Sequence, residues 1–156
     1  MKKQPFNLRR WQHILATGFG SGLAPVAPGT FGTVAALPLV FALTQLPLLW
    51  SGLLLVALAV LGVYVSEITS RDLGVEDHGG IVIDEVVGFG LTMWALPWEW
   101  PWLLAGFCLF RLLDIVKPWP VRFFDQHVTG GLGVMADDIV AGVLACCLLH
   151  GVSLAL

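Results

Sequence analysis

Apolar residues run through this chain in long blocks, and the charged residues gather between the blocks. From Trp11 to Ser66 there is no Asp, Glu, Lys or Arg. The most apolar part, Thr30 to Ser66, is divided near Gln45 and Pro47. That is enough chain for two membrane crossings, at ~1.5 Å rise per residue through a ~30 Å hydrocarbon core. The pattern predicts a first crossing at about 31–46 and a second at about 48–67. A third apolar stretch, Val86 to Trp98, and a fourth, Trp102 to about Val116, are joined by the Pro97 to Pro101 turn. Both are short unless their charged inner ends, Asp84, Glu85, Arg111 and Asp114, belong to the helices. The fifth, Ile139 to Leu156, holds no charge except one that His150 can carry. Membrane strands would alternate polar and apolar, and runs such as LLLVALAVLG do not. The expected fold is therefore all-α: a polytopic membrane bundle of about five helices, one domain over residues 1–156, without internal repeat or linker.

Composition sharpens this. Of 156 residues, 57% are hydrophobic and 12% charged, where an ordinary soluble domain carries about 25% charged. So few charges cannot cover a soluble globule, so the bilayer is the expected solvent and disorder is excluded. The net charge of −3 argues against a nucleic-acid partner. Cys108, Cys146 and Cys147 are odd in number, lie in apolar runs and form no Cys-x-x-Cys pair, which argues against a disulfide framework or zinc site. Met1 to Arg10 is basic like the start of a signal peptide. The stretch from Trp11 to Gly22 holds His13 and several glycines instead of a compact apolar core, so the segment is expected to be retained.

With those spans, the eight Lys and Arg residues, at 2, 3, 9, 10, 71, 111, 117 and 122, all fall on one side of the membrane. By the positive-inside rule that side is the cytoplasm, and Trp94, Trp98, Trp100 and Trp102 form an aromatic belt at the other end. Of the eleven carboxylates, all but Glu99 join the cations. A carboxylate at helix-centre depth costs about 2.5–3.5 kcal/mol on insertion scales, less near the interface, so several together need a reason. The expectation is a cytoplasm-facing site.

Each motif has a chemical and a plain reading. Asp84-Glu85 opens the third helix in VIDEVVGFG. Neighbours diverge by about 100° around a helix, so the pair can address one ion from adjacent sides, or simply complement the helix dipole. Asp137-Asp138 repeats the argument in GGLGVMADDIVAG. Gly88 and Gly142 each follow an acid, Asp84 and Asp138, by four residues. A small residue there admits a neighbouring backbone, for a lipid headgroup or for close helix packing. Arg111, Asp114 and Lys117, spaced by three in FRLLDIVKPWP, line one helix face as an ion-pair ladder or as phosphate donors, with Pro118 as the stop. His78, in EDHGG, is a general acid or base or merely solvated. The glycine-rich ATGFGSGLAPVAPGTFGT can offer N–H groups to an anion, though re-entrant segments also need glycine.

A phosphate monoester is dianionic, so an acid-rich site that handles one implies an intervening cation, and hard carboxylate oxygens suit Mg²⁺. The covalent phosphatase routes need a Cys-x5-Arg loop or an Asp-x-Asp, and neither occurs. A histidine-based route, needing a Ser-Arg with a downstream His, is also set aside. What remains is metal-assisted attack by water.

Taken in order, GFGSGLAPVAPGTFGT, HGGIVIDEVVGFG, FRLLDIVKPWPVRFFD and GGLGVMADDIVAG resemble the phosphatidylglycerophosphatase A family of bacterial inner-membrane enzymes, from about Trp11 to Gly142. The resemblance implies an all-helical fold and Mg²⁺-dependent hydrolysis of phosphatidylglycerophosphate to phosphatidylglycerol and inorganic phosphate. On this reading Asp84, Glu85, Asp137 and Asp138 hold Mg²⁺. Asp114 is a further ligand or orients the water, and Lys117 and Arg111 neutralise the phosphoryl group. Gly29, Thr30 and Thr33 add hydrogen bonds, and His78 protonates the departing alkoxide. The expected partners are the phospholipid substrate and the bilayer. The competing expectation is a small cation or proton transporter built on the same carboxylates.

Overall fold

The computed structural model describes residues 5–155. Lys2, Lys3 and Leu156, which entered the charge count and the fifth crossing, lie outside them. Among the described residues every regular element is helical: α1 (Trp11–Ala16), α2 (Pro28–Ala35), α3 (Leu37–Thr44), α4 (Leu48–Leu73), α5 (Ile83–Thr92), α6 (Trp100–Val116), α7 (Val121–His127) and α8 (Gly130–Ala155), with a 3₁₀ turn at Ser21–Leu23.

Two helices, α4 and α8, are long and apolar enough to cross a membrane, each with 26 residues. The other predicted crossings are shorter, for local reasons. The stretch expected at 31–46 is a pair, α2 and α3, broken at Ala36. Pro38 has no N–H to return to the carbonyl four residues back, and its ring crowds that carbonyl. The stretch expected at Val86–Trp98 is a helix of only 10 residues that starts at Ile83. It ends before Ala95, which adopts φ 60°, and Pro97 disfavours a helical Leu96. The fourth agrees closely: α6 covers Trp100–Val116. The fifth starts nine residues earlier than expected, at Gly130, because glycines at the start of a helix do not stop it once Glu67 accepts a hydrogen bond from the Gly131 N–H at 2.6 Å. The short helices α1 and α7 lie outside the expected spans.

Helix α4 is apolar and largely open on its flank, exposing Leu49, Leu53, Val56 and Val60, as a lipid-facing helix does. Helix α5 is its opposite, with Ile83, Val87, Gly88, Phe89, Gly90 and Thr92 all buried. A 10-residue helix spans only ~15 Å, so its backbone ends need partners within the protein, and just before its start the Val82 N–H donates to the Ala16 carbonyl at 2.8 Å. It packs most extensively on α8. At their crossing a Cβ on Gly142 would lie 2.4 Å from the Gly88 carbonyl oxygen, and one on Gly88 2.9 Å from the carbonyl of Asp138. Two glycines thus let backbone touch backbone. One turn before each of them stands an acidic residue. Around this contact Phe89, Met93, Phe110, Ala141 and Leu149 form one apolar cluster, and Val65, Ile81, Val87 and Met135 another.

Candidate active site

Because α5 and α8 touch at Gly88 and Gly142, the acids preceding those glycines meet. Asp84 and Glu85 on α5 and Asp138 on α8 each offer a carboxylate oxygen, and these lie within 4.8 Å of one another. Asp138 is 2% exposed and Asp137 7%. Like charges at that distance repel by about 3 kcal/mol or more at an effective dielectric constant of about 20. The protein's own cations answer only part of this. Arg111 on α6 pairs with Asp114 at 2.6 Å and approaches Glu85 at 3.6 Å. Lys117 lies between Asp137, at 2.7 Å, and Asp125. Left over are Asp84 Oδ1, Glu85 Oε2 and Asp138 Oδ2, three buried carboxylate oxygens without a hydrogen-bond partner among the described residues. Leaving such groups unpaired costs about 1–3 kcal/mol each, more when charged. A hard cation that accepts oxygen ligands fits this donor set.

The cluster forms the floor of a cleft of about 260 Å³. Its walls come from the 76–81 loop, from the α6–α7 junction with Asp114, Lys117 and Asp125, and from Thr129, Gly130 and Gly133 of the α8 start. Lys117 caps α6 in a left-handed conformation, φ 48° and ψ 59°. A non-glycine residue there costs about 1–2 kcal/mol. Pro118 bars the right-handed alternative, and the two ion pairs hold the side chain over the cleft. Burial opposes the charge on Lys117, but hydrogen bonds from its ammonium to Asp125 and Asp137 outweigh that and raise its pKa above the ordinary lysine value. The ammonium is therefore a permanent charge at neutral pH.

Of the residues singled out in the sequence, Asp84, Glu85, Asp114, Lys117, Asp137 and Asp138 line this one cleft, and Arg111 stands behind Glu85 and Asp114. Asp137 turns Oδ2 to Lys117, and the tight acidic cluster is made by the other three. Arg111 and Asp114 do pair along one helix face, but Lys117 leaves that row for Asp137 and Asp125. Gly29 packs on Glu85: a Cβ there would fall 2.1 Å from Glu85 Oε1 and 3.0 Å from Arg111 Nη1. Thr33 is buried, and its hydroxyl donates to the Gly29 carbonyl at 2.9 Å. The backbone N–H of Thr30 donates to Ala27. Neither threonine is part of the cleft wall. His78 is not part of it either, although Asp77 and Gly79 are. Its Nδ1 accepts from the Gly80 N–H at 3.1 Å, and its ring meets Phe6 edge-on at 4.9 Å.

Two contacts beside the cleft escaped the sequence reading. Asp125 is the last residue of FRLLDIVKPWPVRFFD, yet its contact with Lys117 arises only because the chain turns between α6 and α7. Glu67, on α4, caps α8 across 64 residues of sequence. The histidine-based route set aside above does have its residues in the chain. Ser70-Arg71 with His78 downstream does satisfy the wording of a histidine-based phosphatase. The structure takes it apart: Ser70 donates to the Glu76 carbonyl at 2.9 Å, Arg71 pairs with Glu67 at 2.7 Å, and none of the three faces the cleft.

The model of the phosphatidylglycerophosphatase A family matches residues 14–153. The chain belongs to the phosphatidylglycerophosphatase A family. It is 50% identical over 139 residues to phosphatidylglycerophosphatase A of Escherichia coli (strain K12), covering 88% of this chain and 81% of the relative. It is 46% identical over 135 residues to the Haemophilus influenzae protein of the same name, covering 85% and 83%. A Bacteroides thetaiotaomicron protein, named provisionally as a phosphatidylinositol-3-phosphatase, is 41% identical over 139 residues, covering 83% and 86%. No solved structure matches the chain. The matched region of this phosphatidylglycerophosphatase A family member contains every cleft acid, Lys117 and Arg111.

Proposed function

We propose that this protein is a Mg²⁺-dependent lipid phosphatase that hydrolyses the terminal phosphate monoester of phosphatidylglycerophosphate, giving phosphatidylglycerol and inorganic phosphate. The observation that carries the reading is the trio of unpartnered, buried carboxylate oxygens on Asp84, Glu85 and Asp138, in a cleft lined by Lys117 and backed by Arg111, within a chain 50% identical to a phosphatidylglycerophosphatase.

Asp84, Glu85 and Asp138 would hold the ion, with Asp137 and Asp114 beside them. Bound Mg²⁺ supplies Lewis-acid polarisation of the phosphoryl group and acidifies water. The chain's own residues do the rest. Lys117 offers a fixed ammonium to the equatorial phosphoryl oxygens, which carry most of the charge in a loose transition state. Arg111 holds Asp114 and Glu85 in place, so that Asp114 can orient the attacking water and accept its proton. The water oxygen bonds to phosphorus as the ester P–O bond breaks, and the glycerol oxygen leaves with the bonding pair and is protonated. His78, turned to Phe6, would have to swing out to supply that proton. Solvent at the open 76–79 wall is the more accessible source.

We further propose that the protein crosses the inner membrane five times, with α2 and α3 as one crossing and the amino terminus and the cleft in the cytoplasm. The described cations gather at the cleft end, and Trp94, Trp98 and Trp100 at the other. A transporter would need its ionisable groups strung toward the bilayer midplane, and here they collect at one end.

The test is phosphate release from phosphatidylglycerophosphate by purified protein in detergent. Release that requires Mg²⁺, and falls at least about 100-fold in the Asp84→Asn, Asp138→Asn double variant, is the expected result. No release with metal present, or equal release by the variant, would overturn the assignment.

A further inference from the structure

The two long sides of the cleft differ in kind. On one side stand Glu76, Asp77 and Gly79, polar and open to water. On the other, the residues that carry Lys117 and Asp125 sit among exposed apolar side chains: Ile115 and Val116 at the end of α6, Trp119 in the turn, and Phe123 on α7. Trp119 is 83% exposed. Phe123 stacks on His127 at 4.5 Å yet stays 49% exposed, and water is a poor neighbour for an indole and a phenyl ring on one short stretch of chain. Their surroundings identify the missing neighbour. Leu104, Leu112 and Ile115 expose an apolar strip along α6 that runs without interruption into this corner. Arg122, also exposed, stands between the two rings in sequence. Tryptophan with a cation at the end of an apolar strip is the composition of a membrane–water interface, and the cation favours an anionic one.

We propose that the α6–α7 corner is the doorstep of the cleft: it rests in the interface of an anionic leaflet, and substrate lipid passes over it. The acyl chains stay against Ile115, Val116, Trp119 and Phe123 while the phosphorylated headgroup swings past Lys117 onto the acids. Released phosphate leaves across the polar 76–79 wall. The proposal rests on the phosphatase reading for its substrate but not for its surface.

Two measurements on the full chain in phosphatidylglycerol-containing vesicles test it. Trp119 is 83% exposed, while Phe123, 49% exposed, stacks on His127 and meets Phe124 edge-on, so the Trp119→Ser, Phe123→Ser double variant is compared with the wild type in a thermal melt before its activity is read. It is expected to lower kcat/KM about tenfold on long-chain phosphatidylglycerophosphate embedded in the vesicles. Its activity on a dihexanoyl, water-soluble form of the substrate is expected to stay unchanged. Equal loss on both substrates, or none on either, would overturn the proposal. Independently of activity, lipid brominated next to the acyl carbonyls should quench the wild-type tryptophan fluorescence more than that of Trp119→Phe. Identical quenching would mean that Trp119 faces water or a second copy of the chain, and the doorstep fails. If the wild type hydrolyses neither substrate, the phosphatase reading falls, and the quenching still decides the surface.

Discussion

Gly29 illustrates how tightly single atoms are placed in this site. It adds no chemistry of its own, yet it is the reason Glu85 can lie where it does, since any side chain would occupy the position of Oε1. Gly29→Ala should therefore push Glu85 and Arg111 aside, costing about 1–3 kcal/mol of stability and about 100-fold in kcat through misplacement. Phosphate release alongside a thermal melt checks both, and full activity would show that Glu85 is dispensable. At this scale much was readable in the sequence. Asp84, Glu85, Asp137, Asp138 and Lys117 stand out because ionised groups in apolar blocks are costly and need a purpose. What could not be read is which atom faces which. Thr33 has the composition of a phosphate binder, but its hydroxyl is committed to its own helix. Asp125 looks like any surface acid until the turn after Pro118 brings it to Lys117.

Among the elements, the α5–α8 crossing matters most, because it brings Asp84 and Glu85 into one cluster with Asp138, which lies 53 residues beyond Glu85 in the chain. The apolar blocks located both helices but not their ends. A run that is hydrophobic all round, such as Val86–Trp98, gives no sign of where its helix stops, and there the backbone at Ala95 decides. The spacing of four between each acid and its glycine was visible, and the structure resolves its two readings: Gly88 and Gly142 serve helix contact, and that contact is what gathers the acids. Adding one methyl at Gly142 would place it 2.4 Å from the Gly88 carbonyl. Gly142→Ala is expected to lower stability by about 1–3 kcal/mol and to reduce activity more than an alanine at the exposed Gly151. A melt unchanged in Gly142→Ala would mean that the helices do not touch there.

For the molecule as a whole, the charge distribution predicts the orientation. If the cleft faces the cytoplasm, a cysteine at Glu76, in a background without Cys108, Cys146 and Cys147, should react with an impermeant maleimide only in inside-out vesicles, and one at Glu99 only in right-side-out vesicles. Labelling of both from the same side would refute the five-crossing arrangement. The helical fold and the membrane setting were legible from composition and block pattern alone. The short, buried α5 was not, because its length is tolerated only by the neighbours that enclose it. The phosphatase chemistry depends on the divalent-ion site proposed on Asp84, Glu85 and Asp138. Its most direct test is binding of Mn²⁺, a paramagnetic substitute for Mg²⁺, followed by electron paramagnetic resonance on the purified protein. Stoichiometric binding by the wild type that is lost in the Asp84→Asn, Asp138→Asn double variant is predicted. Equal binding by both, or hydrolysis by a wild type that binds no ion, would contradict it.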